Sequence, residues 1–285
     1  MPEHTWSQRS SSAGRTPLRQ SGTVICSVHR VALIEWAVIL LTGLSTTALG
    51  QEESPAVVAY RPSVATPADL PAPGWPQLEA GWNEAKGGSL ARSESVPVAF
   101  RLAWSESWGL VVGTDAYDWQ QDLDGNTAHS GGDTALQLKY RLPVNDSLSL
   151  GAQFGVALPT ARPPIGTGKA DWGGIGIASF DTNIAHVDVN VAGIRLGAVD
   201  EGQGQWQGQW AIAASRSLPQ GFSATCELSG IAQHGTSAQA QALAGVNYNV
   251  SRQVVLDMAV VAGLSRAAPN WQVTAGVTVQ LGHWF

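Results

Sequence analysis

Apolar and polar residues alternate from Gln77 almost to Phe285, in about twelve stretches of roughly ten residues each. Because successive side chains of a β-strand point to opposite faces, this pattern predicts strands with one apolar and one polar face. One such apolar face consists of Leu148, Leu150, Ala152, Phe154, Val156 and Leu158. A tilted strand of this length is long enough to cross a lipid bilayer.

Two stretches in the middle of the chain are less regular. Around residue 175 the apolar face falls on odd positions, represented by Ile175 and Ile177. After Gly193 the apolar positions shift by one, to Ile194 and Leu196, and this shift predicts a β-bulge.

The connections between the stretches separate a membrane barrel from a soluble sandwich, which alternation alone would also suit. The odd-numbered connections are long, and we predict them at residues 86–93, 120–132, 159–171, 197–205, 233–237 and 265–270. The even-numbered ones are shorter and rich in turn residues, at 105–107, 143–146, 181–183, 218–221 and 249–252. Long extracellular loops that alternate with short periplasmic turns are typical of outer-membrane barrels.

Composition favours the same fold class. Charged residues make up 13% of the chain, against about 25% in soluble domains. Several tryptophans fall near predicted strand ends, where an aromatic girdle would lie, namely Trp104, Trp108, Trp119, Trp172, Trp206, Trp271 and Trp284. An open sheet edge would leave unpaired backbone groups in lipid. We therefore predict an all-β fold, a closed antiparallel transmembrane β-barrel of about twelve strands, with a range of about ten to fourteen.

The region before the barrel divides into two parts. Basic residues precede the apolar run 31–49, and small residues close it at Ala48 and Gly50, so residues 1–50 are predicted to be a signal peptide. A single membrane anchor is the alternative. The proline-rich residues 51–76 would then form a periplasmic lead-in or a partial plug, followed by the barrel over residues 77–285. This order places the protein in the bacterial outer membrane, with lipid and lipopolysaccharide around it.

Two segments carry a resemblance to a known family. The stretch RPSVATPADLPAPGWPQLEAGW begins at Arg61, and the stretch GDTALQLKYR spans residues 132–141. They resemble the outer-membrane transporter proteins grouped with the meta-pathway phenol-degradation family. The resemblance implies an outer-membrane barrel and uptake of small compounds that are often hydrophobic or aromatic. It supplies no catalytic residues.

If the apolar faces point to lipid, the charged residues of opposite parity line the lumen. The candidates are Glu79, Arg101, Asp115, Lys139, Arg141, His186, Asp188, Arg195, Glu227 and Asp257. They belong inside because a charge facing lipid at mid-depth costs about 2–4 kcal/mol. Two interpretations stay open: a polar conduit that selects solutes, and a salt-bridge network that fills the barrel.

Other motifs carry less chemistry. His186 and Asp188 could serve a lipid hydrolase, but the predicted position in the lumen is wrong for access to lipid. The run from Asp122 to Asn126 imitates calcium-ligand spacing with its glycine misplaced, so no metal site and no cofactor is predicted. A net charge of −6 without a basic stripe excludes a nucleic-acid partner.

The sequence thus predicts a passive outer-membrane channel or transporter for small molecules, and not an enzyme. The alternatives are a structural or surface-interaction barrel with a plugged lumen and, third, an outer-membrane lipid hydrolase. A chain that stops at Phe285 carries the terminal aromatic that the barrel-assembly machinery would recognise.

Overall fold

A computed structural model describes residues 54–285, so the predicted signal peptide lies outside the described residues. Within them, twelve antiparallel strands form a closed barrel and one short strand, β4, extends a hairpin beyond it. The strands are β1 (Gln77–Gly87), β2 (Leu90–Ala103), β3 (Trp108–Gln121), β4 (Thr127–Ser130), β5 (Thr134–Asn145), β6 (Leu148–Leu158), β7 (Asp171–Asp181), β8 (His186–Arg195), β9 (Trp206–Ser217), β10 (Phe222–Gln233), β11 (Gln239–Asn249), β12 (Val254–Gly263) and β13 (Trp271–Gln280).

The barrel closes because β1 pairs with β2 on one side and with β13 on the other. The closing register runs from the Gln77–Gln280 pair to the Lys86–Trp271 pair without interruption. Every other barrel strand pairs with its neighbours in sequence, and β4 pairs only with β3. The prediction of a closed antiparallel barrel of about twelve strands is confirmed.

The barrel has a polar interior and an apolar exterior. Buried polar side chains include those of Gln77, Glu79, Arg101, Lys139, Gln153, Ser179, Asn190, Glu227, Asp257 and Thr274. Large apolar side chains of the opposite parity are exposed, among them Leu138, Phe154, Val191, Ile212, Leu228, Met258 and Val260. A soluble protein would bury the second set and expose the first. Lipid is the medium that accepts this arrangement.

Strand β7 faces the other way from the prediction. Ile177 is only 4% exposed and pairs with Asn190, which is also buried, so Ile175 and Ile177 belong to the inner face. The outer positions of β7 include Trp172 and two glycines, Gly174 and Gly176. A glycine gives no hydropathy signal, and the two isoleucines therefore suggested the wrong parity.

The predicted bulge after Gly193 is also absent, since the pairing of β8 with β7 and β9 runs through that residue without a shift. A bulge lies instead in β3. Val96 pairs with Tyr117 and Pro97 with Asp115, which leaves Ala116 as the extra residue.

The connections at the two ends of the barrel differ in length, with one exception to the prediction. The first connection, expected to be long, is a tight turn at residues 88–89, where both Gly87 and Gly88 have positive φ. The other connections at that end span residues 122–133, 159–170, 196–205, 234–238 and 264–270. Those at the opposite end are 104–107, 146–147, 182–185, 218–221 and 250–253. Among the described residues, no helix has the length and apolar character needed to cross a membrane.

Candidate functional site

Residues 54–76, here called the N-terminal segment, form neither strand nor helix and are bonded to inward-facing side chains of the barrel. Their partners come from strands around the whole circumference, and they are Glu79, Lys139, Arg141, Ser179, Asn190, Glu227, Asn247, Asp257, Thr274 and Gln280. The backbone groups of the segment thus find their hydrogen-bond partners on the inner wall.

Tyr60 is the centre of the contacts on the β1–β2–β5 side. Its backbone N–H donates to Glu79 Oε1 at 2.8 Å, and Glu79 pairs with Arg101 at 2.7 Å. Two cations lie over its ring, the Arg101 guanidinium carbon 4.0 Å and Lys139 Nζ 4.2 Å from the ring centroid. Burial raises the pKa of the Tyr60 phenol, and the hydroxyl donates to the carbonyl oxygen of Asp69.

Strand β5 holds the last part of the segment. Lys139 Nζ donates to the Pro67 carbonyl oxygen at 2.6 Å and to the Tyr60 hydroxyl at 2.9 Å. Two residues further along the strand, Arg141 Nε pairs with Asp69 at 2.8 Å. Lys139 is fully buried, so its positive charge is stabilised by these oxygens and by the Tyr60 ring in place of water.

On the opposite side, one carboxylate gathers a tight turn of the segment. Glu227 Oε2 accepts the backbone N–H groups of Val64 at 2.8 Å and Ala65 at 2.9 Å, together with the Ser63 hydroxyl. Asn190 makes a reciprocal pair with the next residue, since its amide oxygen accepts from the Thr66 N–H at 2.7 Å and its amide nitrogen donates to the Thr66 carbonyl at 2.9 Å.

Arg61 anchors the start of that turn to the last two strands of the barrel. Its Nε pairs with Asp257 at 3.3 Å, and its Nη2 donates to the Thr274 hydroxyl. Of the ten residues predicted from sequence, five are buried on the inner face, namely Glu79, Arg101, Lys139, Glu227 and Asp257. Most of their polar contacts go to the N-terminal segment or to one another.

The other predicted residues are less buried. Asp115 is half-buried and lines a cavity together with Arg61, Glu79 and Arg101. Arg195 departs from the prediction, because it pairs across the strands with Trp172 and Trp206, which are 40% and 57% exposed. Directly opposed residues share a face, so Arg195 lies on the outer surface at the rim. Its parity was misread because the bulge after Gly193 does not exist.

His186 and Asp188 form a hydrogen-bonded cluster near the end of the barrel with the short connections. His186 Nδ1 lies 2.8 Å from Asp181 and its Nε2 lies 3.2 Å from Asp188. Ser215 is the cross-strand partner of His186. Because both ring nitrogens contact carboxylates, neither is free to accept a proton from that serine, and the arrangement does not suit a hydrolytic triad.

A group of neutral side chains also lines the lumen beside the segment. Gln137, Gln153, Gln209 and Gln241 occupy inner positions of β5, β6, β9 and β11. The alternation of apolar and polar residues already predicts that these glutamines lie on the polar face of their strands.

The extracellular-type loop between β3 and β4 is organised by Asp122. Its carboxylate accepts the Asn126 side-chain amide at 2.8 Å, the Asn126 N–H at 2.8 Å and the Asp124 N–H at 3.0 Å. These bonds, the Asn126 side chain first, hold the pKa of Asp122 below its usual value. Across residues 54–285, no group of three or more His, Cys, Asp or Glu residues could hold a metal ion.

No protein-family model and no curated protein matches the sequence. Solved outer-membrane structures do match the fold. The COG4313 outer membrane channel from Pseudomonas putida F1 aligns with a TM-score of 0.59 and 10% identity, over 82% of this chain and 100% of that one. The KdgM porin aligns with a TM-score of 0.52 and 11% identity, over 72% and 99% of the two chains. The KdgM porin in complex with disordered oligogalacturonate gives 0.50 and 10%, again over 72% and 99%. At these identities the similarity shows a common fold.

Proposed function

We propose that this protein is a passive channel for small molecules in the bacterial outer membrane. The observation that carries the proposal is the polar interior inside an apolar exterior, in a closed barrel whose twelve strands each pair on both sides. The similarity in fold to outer-membrane channels and porins supports it. We propose that the barrel is oriented with its short connections toward the periplasm and its outer surface against lipid and lipopolysaccharide. Residues 1–50 would direct export.

We further propose that residues 54–76 act as the plug of this channel. The support comes from their bonds to strands on all sides of the lumen, including Glu79, Lys139 and Glu227. A solute then passes only beside the plug or after its displacement. The resemblance to the meta-pathway phenol-degradation family adds hydrophobic and aromatic compounds as one solute class.

A second candidate is a structural or surface-interaction barrel whose plug never moves. One observation favours it: the charged side chains of Glu79, Arg101 and Asp257 in the lumen are bonded to the segment or to one another. Such a barrel would use its loops at residues 122–133 and 159–170 for contacts.

A disulfide that fixes the plug separates the two candidates. A Cβ added to Gly151 of β6 would lie 3.3 Å from the Cβ of Ala68, close to the roughly 3.5–4.5 Å of disulfides. The variant Ala68→Cys with Gly151→Cys, made with Cys226→Ala, is reconstituted in planar bilayers and its conductance is recorded before and after reduction. A channel gated by the plug conducts more after reduction, and the single variant Gly151→Cys does not respond. A barrel that stays silent under both conditions, at all voltages, contradicts the channel.

A further inference from the structure

Two cavities beside the N-terminal segment share two lining residues, Val64 and Ile175. We call their joint lining the amide chamber, because carboxamides recur around it: Gln137, Gln153, Asn190, Gln209, Gln239 and Gln241. The cavities have volumes of about 100 Å³ and 230 Å³. A single water needs only about 10–15 Å³, so the chamber has room for a small molecule.

The charged residues that line the chamber are held in ion pairs, although Arg101 Nε is buried without a partner in the described part of the chain. The first cavity has no charged residue in its lining. In the second, Glu79 pairs with Arg101 at 2.7 Å, and Arg61 pairs with Asp257 at 3.3 Å. A charged solute entering here would lose its hydration and would meet only charges that are already held in ion pairs.

The carboxamides nevertheless have hydrogen-bonding capacity to spare. Gln153 is 8% exposed, and its Oε1 is buried without a partner in the described part of the chain, while its Nε2 donates to Gln137. Gln209 and Gln241 are held through their Nε2 atoms, by Gln207 at 2.8 Å and Ser229 at 3.3 Å. A buried acceptor without a donor is unfavourable, and a ligand hydroxyl would satisfy it once the Gln153 amide rotates toward the cavity.

The remaining lining is aliphatic. Val64, at the tip of the turn held by Glu227, is 58% exposed, although it lies within the barrel. Ile175 and Ile231 stand beside it on the inner wall. A sugar ring has the matching surfaces, since its C–H groups can cover aliphatic side chains while its hydroxyls reach the surrounding amides.

We propose that the amide chamber binds an uncharged, hydroxyl-bearing solute of the neutral sugar or polyol class. The site rests on the proposed channel function for its biological use, but its binding chemistry does not. A purely apolar solute would cover the Gln153 oxygen without bonding it, which penalises that class.

The test is saturation-transfer NMR on the mature barrel in detergent micelles, with the N-terminal segment present. Three probes of similar size are compared: neutral methyl glucoside, anionic gluconate and cationic glucosamine. We expect saturable binding of the neutral probe only. Gln153→Leu and Gln209→Leu should each weaken it by about tenfold, since each removes a hydrogen-bonding group. Gln120→Leu is the matched control, because Gln120 lies on β3 outside the chamber and bonds Asp118.

A second variant protects the test against misfolding of Gln153→Leu. Gln153→Glu keeps a polar group and should shift the preference to glucosamine. Equal or tighter binding of gluconate by the parent protein, competition by toluene for the neutral probe, or unchanged binding in both Gln→Leu variants would overturn the proposal. If the barrel conducts but shows no saturable binding, the proposed binding site is wrong and the proposed channel stands. If the barrel is silent but binds the neutral probe, the proposed channel is wrong and the binding site stands.

Discussion

Lys139 donates a hydrogen bond from its Nζ to the backbone carbonyl oxygen of Pro67, over 2.6 Å. This bond joins the middle of β5 to the N-terminal segment, and both partners depend on it. The ammonium is fully buried in the wall, and the carbonyl belongs to a segment that has no secondary structure of its own. The segment and the barrel are therefore stabilised by the same buried polar groups.

Replacing Lys139 with methionine should destabilise the protein by about 1–3 kcal/mol, because the Pro67 carbonyl and the Tyr60 hydroxyl lose a charged donor. Urea unfolding in lipid vesicles, followed by tryptophan fluorescence, measures the free energy of unfolding. Lys169→Met is the control, since Lys169 is exposed in the loop between β6 and β7. Equal stability of the two variants would mean that the segment does not depend on Lys139.

Replacing Glu227 with alanine should raise the open probability of the channel. The turn at residues 63–65 loses the acceptor of two backbone N–H groups and one hydroxyl, and bonds to a charged group contribute about 1.5–3 kcal/mol each. Single-channel recording in planar bilayers measures the change. Cys226→Ala, on the adjacent outward-facing residue, should behave as the parent protein. If openings are no more frequent in Glu227→Ala, the turn does not control passage.

The cost in stability of an arginine on the outer face should depend on its depth in the membrane. Val260, in the middle of β12, is 59% exposed, and Leu264, just beyond the end of that strand, is 60% exposed. Val260→Arg should cost about 2–4 kcal/mol in vesicles and Leu264→Arg about 0–1 kcal/mol. Unfolding by urea compares the two. Similar costs for both variants would contradict the placement of β12 across a hydrocarbon layer.

The loop at residues 122–126 should lose its order in acid. Folding lowers the pKa of Asp122, so the carboxylate stabilises the loop at neutral pH, and that contribution disappears as the pH falls through the lowered pKa. The protection factor of the Asn126 amide is measured by hydrogen exchange in NMR from pH 7 downward, with the intrinsic pH dependence of exchange removed, and it should fall only below the usual aspartate range. Asp122→Ala should exchange fast at neutral pH, whereas Asp124→Ala should not, because Asp124 contributes its backbone N–H. Rapid exchange in the parent at pH 7 would refute this role.

Strand number and closure could be predicted because a lipid-facing strand must show a run of apolar residues at every second position. Strand β7 does not show this run on its outer face. Its outer face includes Gly174 and Gly176, which have no side chain to register, while its inner face carries Ile175 and Ile177. Parity read from hydropathy fails where the outward residues are glycines.

The charged residues of the inner wall could be predicted from the sequence, but the residues of the N-terminal segment that bind them could not. Glu79, Lys139 and Glu227 stood out as charges on the polar parity, but nothing local indicates that Tyr60 or Val64 would lie against them, since the contacts span large separations in sequence. The short strand β4 was also missed. Its residues read as loop, and it forms only because β3 continues beyond its pairing with β5.

The ladder between β1 and β13 sets a condition on how this chain can be assembled. Gln77 is the first residue of the first strand and its partner, Gln280, is the last residue of the last strand. Ten barrel strands separate these two along the chain, and until they pair both terminal strands have an unpaired backbone edge. A chain interrupted anywhere before Trp271 would be an open sheet, with a strong tendency to pair with copies of itself.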